Sequence, residues 1–145
     1  MFAISLLQPW ASLVVMGIKT IETRSWSTRH RGQILIHASQ GKAGSIFAED
    51  LPFKKYIPDF KQLPFGAIIG LVTIDKILRT VDFEMNDTDM NALTFEEKAF
   101  GDYSSGRYGW IFTDPEEFKQ PIPARGMPGL WEFKESGISL FDDNV

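Results

Sequence analysis

The 145-residue sequence contains no cysteine and only two histidines. The absence of cysteine excludes disulfides, a thiol nucleophile and the thiolate ligands of zinc ribbons and iron–sulfur clusters. Two histidines are too few for a catalytic zinc site built on several imidazoles. The phosphate-binding Gly-x-x-x-x-Gly-Lys loop and the dinucleotide-binding Gly-x-Gly-x-x-Gly turn are also absent. The sequence therefore predicts neither a metal site nor a cofactor.

One acidic stretch resembles the start of a calcium-binding loop but lacks two of the residues that such a loop needs. Asp87, Asp89 and Asn91 have the spacing of its first three ligands. Ala92 stands where the loop requires glycine, and Lys98 stands where the closing glutamate belongs. We therefore interpret residues 82–91 as a solvated acidic loop.

Charge is distributed unevenly along the chain. The 15 basic and 19 acidic side chains give a net charge of −4. Residues 1–45 carry five basic side chains and one acidic side chain, whereas the remainder carries a net charge of −8. A protein that coats duplex DNA is normally basic, so this balance argues against extended duplex DNA as a partner. One basic region on an acidic body fits a single anionic ligand or a short nucleic acid strand.

Long hydrophobic runs are missing as well. The most apolar stretch near the N-terminus, residues 11–18, is far shorter than the roughly 20 residues that a membrane-spanning helix requires. It also lacks the basic leader that precedes the apolar segment of a signal peptide. We therefore expect a cytoplasmic protein that has no membrane partner.

Hydrophobic periodicity predicts several short strands and a few short helices. The strands are expected at residues 2–7, 20–26, 33–38, 66–78, 107–113 and 130–133. A helix is expected between Pro9 and Gly17, because proline favours the start of a helix and glycine favours the position after its end. Thr94 and Glu97 have the spacing of a capping box, which predicts a second helix through Phe100. A helical turn is expected near 46–51.

This order of elements is typical of the α+β class. We expect a small, partly closed mixed β-barrel with two or three short helices packed against it. Neither an internal repeat nor a linker divides the chain. We therefore expect a single domain over residues 1–134, followed by a flexible tail at 135–145.

Several motifs carry a resemblance to a known family. The N-terminal motifs are Gln8-Pro9-Trp10-Ala11-Ser12-Leu13, Gly17-Ile18-Lys19, Glu22-x-Arg24-Ser25-Trp26 and His30-Arg31-Gly32. The later motifs are Phe100-Gly101-Asp102-Tyr103-Ser104, Gly106-Arg107-Tyr108, Pro121-x-Pro123-x-Arg125-Gly126 and Gly129-Leu130-Trp131. Over residues 2–134, with a divergent middle, the sequence resembles the ASCH family, named after a domain of the coactivator called activating signal cointegrator.

The resemblance implies a fold and a choice of functions. The fold would be a barrel related to the pseudouridine synthase and archaeosine transglycosylase (PUA) RNA-binding domains. A cleft between the barrel and the first helix would be lined by the Gly-x-Lys-x-x-Glu-x-Arg motif. The family is proposed to bind RNA or other nucleic acid, and its members include a ribonuclease and an amidohydrolase that acts on acetylated cytidine. Family membership alone does not choose among these functions.

Lys19, Glu22 and Arg24 form the charged part of the predicted ligand-binding site. Arginine offers a planar fork to a phosphate or a guanine, whereas lysine offers a mobile point charge. Glu22 can accept a hydrogen bond from the amino group of cytosine or guanine. Trp10 and Trp26 can stack on an unpaired base. In the alternative interpretation, Glu22 and Arg24 form an internal ion pair and both tryptophans belong to the core.

Two further segments supply candidate ligand-binding residues. Arg29 and Arg31 lie in a basic turn, which either grips phosphate at the mouth of the cleft or is an ordinary solvated loop. Ser104 and Arg107 lie near a glycine turn, whose donors can cradle an anion. The alternative for this second segment is a tight turn whose aromatic side chains pack into the barrel. His37 follows three apolar residues, which favours a buried, hydrogen-bonded structural histidine over a general base.

An enzymatic alternative rests on Lys19 and Glu22. In the amidohydrolase relatives, a threonine nucleophile follows the lysine by three residues, and Glu22 occupies that position here. Lys19 and Glu22 can still act as an acid–base pair. The third residue of those relatives is a glutamate in a helical segment, and the sequence does not choose between Glu96 and Glu97 for it.

The sequence thus predicts a nucleic-acid-binding module. Its cleft would hold single-stranded RNA, a nucleotide or a modified nucleoside. The first alternative is a metal-independent hydrolase, either a ribonuclease or an acylated-nucleoside amidohydrolase. The second alternative is a coactivator-like domain that binds another protein.

Overall fold

The computed structural model describes residues 1–85 and 93–134, and within these ranges it contains six β-strands and five short α-helices. The strands are β1 (Phe2–Leu6), β2 (Ile21–Arg24), β3 (Gly32–Ala38), β4 (Ala67–Arg79), β5 (Tyr108–Pro123) and β6 (Leu130–Glu132). The helices are α1 (Trp10–Val15), α2 (Ser45–Ala48), α3 (Phe53–Tyr56), α4 (Thr80–Met85) and α5 (Phe95–Phe100), with a 3₁₀ turn at Phe60–Gln62. The predicted tail and the stretch from Asp87 to Asn91 lie outside the described residues.

The six strands form one curled sheet, a half-barrel, in the order β2-β5-β4-β3-β1-β6. β1 and β3 are parallel, and every other neighbouring pair is antiparallel. Parallel neighbours need a crossover connection, and the segment that contains α1 and β2 provides it. The α+β class is therefore confirmed, with more short helices than the two or three expected.

The core lies on both faces of the sheet. The larger cluster fills the space between α1 and the sheet and includes Ile34 and Ile36 from β3. A smaller cluster on the opposite face contains Leu35 together with Trp131 from β6. Because successive side chains of a strand point to opposite faces, β3 must be apolar on both, which explains its continuous hydrophobic run.

Helix α1 begins and ends as its sequence predicts. Pro9 is the N-cap residue, immediately before the first helical residue. Gly17 adopts φ = +78°, a left-handed conformation that glycine tolerates best. The chain then turns, so that the backbone N–H groups of Ile18 and Lys19 both donate to the Leu13 carbonyl at 3.0 Å. This turn delivers Lys19 to the start of β2.

Strand β5 is much longer than predicted. The sequence predicts an end at residue 113, because Pro115, Pro121 and Pro123 follow. The structure continues the strand through Pro123, with register shifts against β4 and a positive φ of 51° at Asp114. β2 pairs with β5 only as far as Ile111, so the rest of β5 has only β4 as a strand partner. An edge strand tolerates proline because one side of it needs no N–H donor.

Helix α4 replaces the start of the predicted acidic loop. It begins at Thr80, whose hydroxyl donates to the Ser104 carbonyl at 2.7 Å. Phe83 is fully buried and packs so close to Gly109 that an added Cβ there would lie 2.5 Å from its ring. The loop was predicted from the acidic residues of this segment, and the burial of Phe83 was not foreseen. Among the described residues, no helix is long and apolar enough to cross a membrane.

Candidate functional site

A cleft of about 570 Å³ opens between the α1 side of the molecule and the sheet. We call it the helix cleft. It is lined by Ser5, Leu6, Leu7, Trp10, Glu22, Thr23, Arg24, Ser39, Phe47, Phe53, Ala99, Phe100, Gly101, Asp102 and Arg107. Its volume lies within the range typical of small-ligand sites. Four of the nine predicted ligand-binding residues line it, namely Trp10, Glu22, Arg24 and Arg107.

The polar wall of the helix cleft centres on Glu22. Its Oε2 atom accepts a hydrogen bond from Arg24 Nη1 at 3.2 Å. The Arg24 guanidinium also lies 5.5 Å from the centre of the Trp26 ring, within cation–π range. Arg24 is thus held between a carboxylate and an aromatic ring, while a quarter of its side chain remains exposed.

Arg107 joins the loop before β5 to strand β2. Its Nη2 donates to the Thr23 carbonyl and its Nε donates to the Asp102 carbonyl, both at 3.1 Å. Asp102 Oδ2 lies 3.5 Å from Arg107 Nε. Hydrogen bonds from the Ser104 side chain and backbone lower the pKa of Asp102, and the charge of Arg107 adds to this effect. Arg107 is therefore oriented towards the cleft by backbone carbonyls as well as by an ion pair.

The aromatic wall consists of Trp10, Phe47 and Phe53. The Trp10 indole N–H donates to the Phe100 carbonyl at 2.8 Å, which fixes the orientation of the ring. Trp10 packs edge-on against Phe53 and at a tilt against Phe47, with ring centres 5.8 Å and 5.2 Å apart. Trp10 thus packs against a core cluster and also lines the cleft, and stacking of a base on its ring stays a prediction.

Lys19 lies beneath the cleft and is 1% exposed. Its Nζ donates to the Ile21 carbonyl and lies 3.7 Å from Glu22 Oε1 and 4.0 Å from Glu97 Oε2. A buried ammonium group needs such neighbours, since an unpaired charge is costly away from water. Lys19 does not line the cleft and reaches it only through Glu22.

Glu97 on α5 completes this buried group. One carboxylate oxygen accepts from the backbone N–H of Thr20 at 2.6 Å and from its hydroxyl at 2.8 Å. The other oxygen has no hydrogen-bond partner in the described part of the chain. Burial raises the pKa of Glu97, although Lys19 and Thr20 act in the opposite direction. Of the two glutamates that the sequence left open, Glu97 is the one beside Lys19, whereas Glu96 accepts from the Tyr56 hydroxyl at 2.6 Å.

Tyr103 is the fourth member of the same group. Its buried hydroxyl has no hydrogen-bond partner within residues 1–85 and 93–134. Burial raises the pKa of Tyr103 strongly, and the charges of Glu97 and Glu22 add to that effect. We call Lys19, Glu22, Glu97 and Tyr103 the corner cluster. It combines three charged side chains with two buried oxygens that lack partners.

Five of the predicted ligand-binding residues do not line the helix cleft. They are Lys19, Trp26, Arg29, Arg31 and Ser104. Trp26 packs edge-on against the buried Trp110, with ring centres 4.9 Å apart. Arg31 donates to the carbonyls of Thr28 and His30 and so stabilises its own turn. Ser104 donates to Asp102 at 2.7 Å. A role for these residues in ligand binding stays a prediction.

Sequence reasoning missed part of the cleft lining. Phe47 and Phe53 lie in the divergent middle of the chain, where no motif marks them. Ser5 and Ser39 lie at the ends of two buried strands and carry no recognisable signal of their own. Asp102 was visible in a motif but was not considered as a lining residue. No group of three or more metal-binding side chains occurs among the described residues.

His37 has the structural role that its sequence context predicts. It is 2% exposed. Its Nε2 lies 2.8 Å from the Ala124 carbonyl, which can only accept, so this nitrogen carries the proton. Nδ1 forms a hydrogen bond with the Ser5 hydroxyl at 3.0 Å, and the Trp131 indole N–H donates to that hydroxyl at 3.2 Å. We call Ser5, His37, Trp131 and the Ala124 carbonyl the His37 network.

The family model for the ASCH domain matches residues 4–122, a range that contains all the residues lining the helix cleft. The chain belongs to the ASCH-domain family. The half-barrel and its helices thus form the PUA-like fold that the motifs implied. Membership does not by itself establish a ligand or a reaction for this ASCH domain.

Two curated relatives are similar along most of the chain. Activating signal cointegrator 1 of Homo sapiens is 28% identical over 137 residues, which cover 90% of this chain and 22% of the relative. The protein of the same name from Mus musculus gives the same identity and coverage. This chain therefore spans about a fifth of the length of these relatives.

Solved structures support the fold. The crystal structure of ASCH from Zymomonas mobilis superimposes with a TM-score of 0.52 at 16% identity, covering 84% of this chain and 72% of that chain. A structure of a point mutant of the same protein gives a TM-score of 0.51 at 17% identity, with 84% and 74% coverage. At this level of identity the likeness concerns the fold alone.

Proposed function

We propose that this ASCH domain binds one unpaired nucleotide, either free or within single-stranded RNA, in the helix cleft. The observation that carries the proposal is the combination of the Glu22 carboxylate and two arginine side chains with an aromatic wall in one cleft. Unpaired bases are commonly held by stacking on aromatic rings and by hydrogen bonds to their edges. The helix cleft offers both kinds of contact.

Glu22 is the residue best placed to read a base. A carboxylate can accept several hydrogen bonds, and Arg24 supplies only one to Glu22. The buried ammonium group of Lys19 lies 3.7 Å from its other oxygen. Glu22 would accept from the amino group of cytosine or guanine, which uracil lacks.

Trp10 and Arg107 would complete the contacts to the nucleotide. The Trp10 ring is already oriented by its bond to the Phe100 carbonyl, so little freedom is lost when a base stacks on it. Arg107 retains donors beyond those used on the Thr23 and Asp102 carbonyls, and these suit a phosphate oxygen. Arg29 and Arg31, which are exposed outside the cleft, remain candidates for the backbone of a longer RNA.

The charge of the helix cleft favours a single nucleotide over a long polyanion. Its charged lining residues are Glu22, Arg24, Asp102 and Arg107, which balance to zero. Binding of a long strand is normally driven by many uncompensated basic residues. A neutral cleft is better suited to recognising a base together with at most one phosphate.

Hydrolysis by Lys19 and Glu22 is the second candidate function. The proximity of the Lys19 ammonium group to Glu22 favours it, because a carboxylate in a cleft can act as a base. However, Lys19 is buried, and the Thr23 hydroxyl, which lines the cleft, already accepts from the backbone N–H of Asp102 at 2.9 Å. We therefore favour binding, and turnover becomes one outcome of the test.

Fluorescence anisotropy with a labelled single-stranded RNA of mixed sequence tests this proposal. CMP, GMP and UMP then compete with the RNA for wild type, Glu22→Gln and Glu116→Gln. Glu116 is exposed on β5 outside the cleft, so its variant controls for the loss of one negative charge. We expect Glu22→Gln to weaken competition by CMP and GMP about tenfold and to leave UMP unchanged.

Each other outcome has a defined meaning. An equal effect of both variants on all three nucleotides would contradict base recognition by Glu22. A signal that rises and then decays over hours would establish cleavage of the RNA, provided that the decay also occurs in the absence of metal. No rise at low salt would exclude single-stranded RNA as the ligand and leave free nucleotides, modified nucleosides and a protein partner as the remaining hypotheses.

A further inference from the structure

A second cleft lies next to the helix cleft and is larger, about 840 Å³. We call it the proline cleft. It is lined by Ser5, His37, Ser39, Gln40, Gly66, Pro123, Ala124, Arg125, Gly126, Met127 and Pro128. Ser5 and Ser39 line both clefts, so the two spaces meet at these side chains. A ligand longer than one nucleotide can therefore occupy both.

The electrostatic character of the proline cleft differs from that of the helix cleft. Arg125 is its one charged residue among the described lining side chains. Arg125 is exposed and makes no ion pair or hydrogen bond with any residue in the ranges 1–85 and 93–134. The proline cleft thus carries one positive charge that nothing in the described chain compensates. Such a guanidinium group is suited to a phosphate, which it can bind through two parallel hydrogen bonds.

The backbone on both sides of Arg125 is anchored. The Ala124 N–H donates to the Gly66 carbonyl at 3.1 Å, and the Ala124 carbonyl accepts from His37. Gly126 is packed so close to the His37 network that an added Cβ would lie 2.6 Å from Ser5 Oγ. An exposed arginine on a fixed backbone loses less entropy on binding than one on a mobile loop.

We propose that the proline cleft is a phosphate subsite for the neighbouring nucleotide of a single-stranded RNA whose base occupies the helix cleft. The RNA would cross between the clefts at Ser5 and Ser39, and Arg125 would bind the phosphate that follows. His37 would act as a positioning residue, because it holds the backbone next to Arg125. This inference rests on the proposed function and assigns its ligand to oligonucleotides rather than free nucleosides.

Competition by CMP and by the trinucleotide pCpCpC against the labelled RNA tests the subsite. We expect wild type to bind the trinucleotide about tenfold more tightly than CMP, since one well-placed contact contributes this much. Arg125→Gln should abolish that gain and leave the affinity for CMP unchanged. In Arg125→Gln, the slope of log affinity for the trinucleotide against log salt concentration should be smaller in magnitude than in wild type by about one. Lys119→Gln removes the same charge from an exposed position on β5 outside both clefts and should change neither quantity.

Each outcome bears on one of the two proposals. If CMP binds but Arg125→Gln retains the full trinucleotide gain and salt slope, the subsite is wrong and the proposed function stands. If neither CMP nor the trinucleotide competes, both proposals fail. His37→Gln provides a second variant, which should reduce the trinucleotide gain and leave CMP binding unchanged. Unchanged CMP binding shows that the helix cleft is intact, and the melting temperatures of Arg125→Gln and His37→Gln show whether each variant is folded.

Discussion

The corner cluster and the His37 network are two buried polar groups in the same small domain, and they are built differently. Every side-chain polar atom described in the His37 network has a hydrogen-bond partner, and the network contains no carboxylate and no ammonium group. The corner cluster contains three charged side chains, and two of its buried oxygens lack partners in the described part of the chain. The hydrogen-bonding atoms of the His37 network are thus all paired, whereas those of the corner cluster are not.

This difference indicates a structural role for the His37 network and a functional role for the corner cluster. A satisfied network makes a unique arrangement of the core and costs little, because each donor finds an acceptor. Buried atoms without partners reduce stability and are retained where they serve another purpose. The corner cluster contributes Glu22 to the lining of the helix cleft, while the His37 network holds the backbone beside Arg125. The polar group beside the helix cleft thus contains atoms without hydrogen-bond partners in the described chain, whereas the polar group beside the proline cleft does not.

Lys19→Met should have the largest effect on stability. Lys19 is the only cation between the Glu22 and Glu97 carboxylates in the described structure, so its removal leaves two buried charges facing each other. Breaking a buried ion pair by removing one partner typically costs about 3–5 kcal/mol. Urea denaturation measures the loss in the free energy of unfolding, and the exposed Lys119→Met variant should change it little.

A double variant sharpens this prediction. Glu22 keeps its ion pair with Arg24 in Lys19→Met, whereas Glu97 loses its cation. Adding Glu97→Gln removes the unpaired charge of Glu97 and should restore part of the lost free energy of unfolding. If the double variant is less stable than Lys19→Met alone, the destabilisation comes from lost packing of the lysine stem. The electrostatic explanation of the corner cluster would then be wrong.

Motif spacing and hydrophobic periodicity predicted most of the framework behind these groups. The helix between Pro9 and Gly17 was predicted because both residues have local conformational preferences that the rest of the chain does not override. The end of β5 was predicted wrongly at residue 113, since proline is excluded only where both sides of a strand are paired. Whether both sides of β5 are paired depends on where β2 ends, and no local sequence pattern indicates that position.

The site shows the same division between local and long-range information. Glu22 and Arg24 were assigned to the cleft because the family resemblance places their motif there, and their spacing puts both on one face of a strand. Lys19 was predicted to contact ligand, yet its chain position at a tight corner directs the side chain inward, away from the cleft. Glu97 contacts Thr20 across 77 residues of sequence, a contact that only the folded chain brings about.

The pH dependence of stability should also distinguish the corner cluster. Burial raises the pKa of Glu97 above its ordinary value of 4.5. Between about 4.5 and the raised value, the folded state keeps a proton that the unfolded state has lost, so the contribution of Glu97 to stability falls as pH increases. Glu97→Gln removes this contribution. The free energy of unfolding of the variant, measured in urea, should therefore gain on that of wild type as pH rises through this window.

The control for this titration is Glu116→Gln, which changes an exposed carboxylate on β5. Its difference from wild type should stay nearly constant over the same pH range, because the substitution lies at an exposed position and leaves the corner cluster intact. A Glu97→Gln difference that moves in favour of wild type with rising pH would mean that Lys19 and Thr20 outweigh burial. Glu97 would then stabilise the fold in its charged form.

Tyr103→Phe should have the smallest effect, and it compares the two groups directly. The hydroxyl has no partner in the described structure, so its removal costs no hydrogen bond. The ring keeps its edge-on contact with Phe83, at 5.7 Å between centres. Ser5→Ala also removes one hydroxyl, but that hydroxyl bonds both His37 and Trp131. We expect Tyr103→Phe to leave the free energy of unfolding unchanged or raise it by up to about 1 kcal/mol, and Ser5→Ala to lower it by about 1–3 kcal/mol. Equal losses in the two variants would show that the Tyr103 hydroxyl is bonded in solution, by water or by a carboxylate of the corner cluster, and would remove the contrast between the groups.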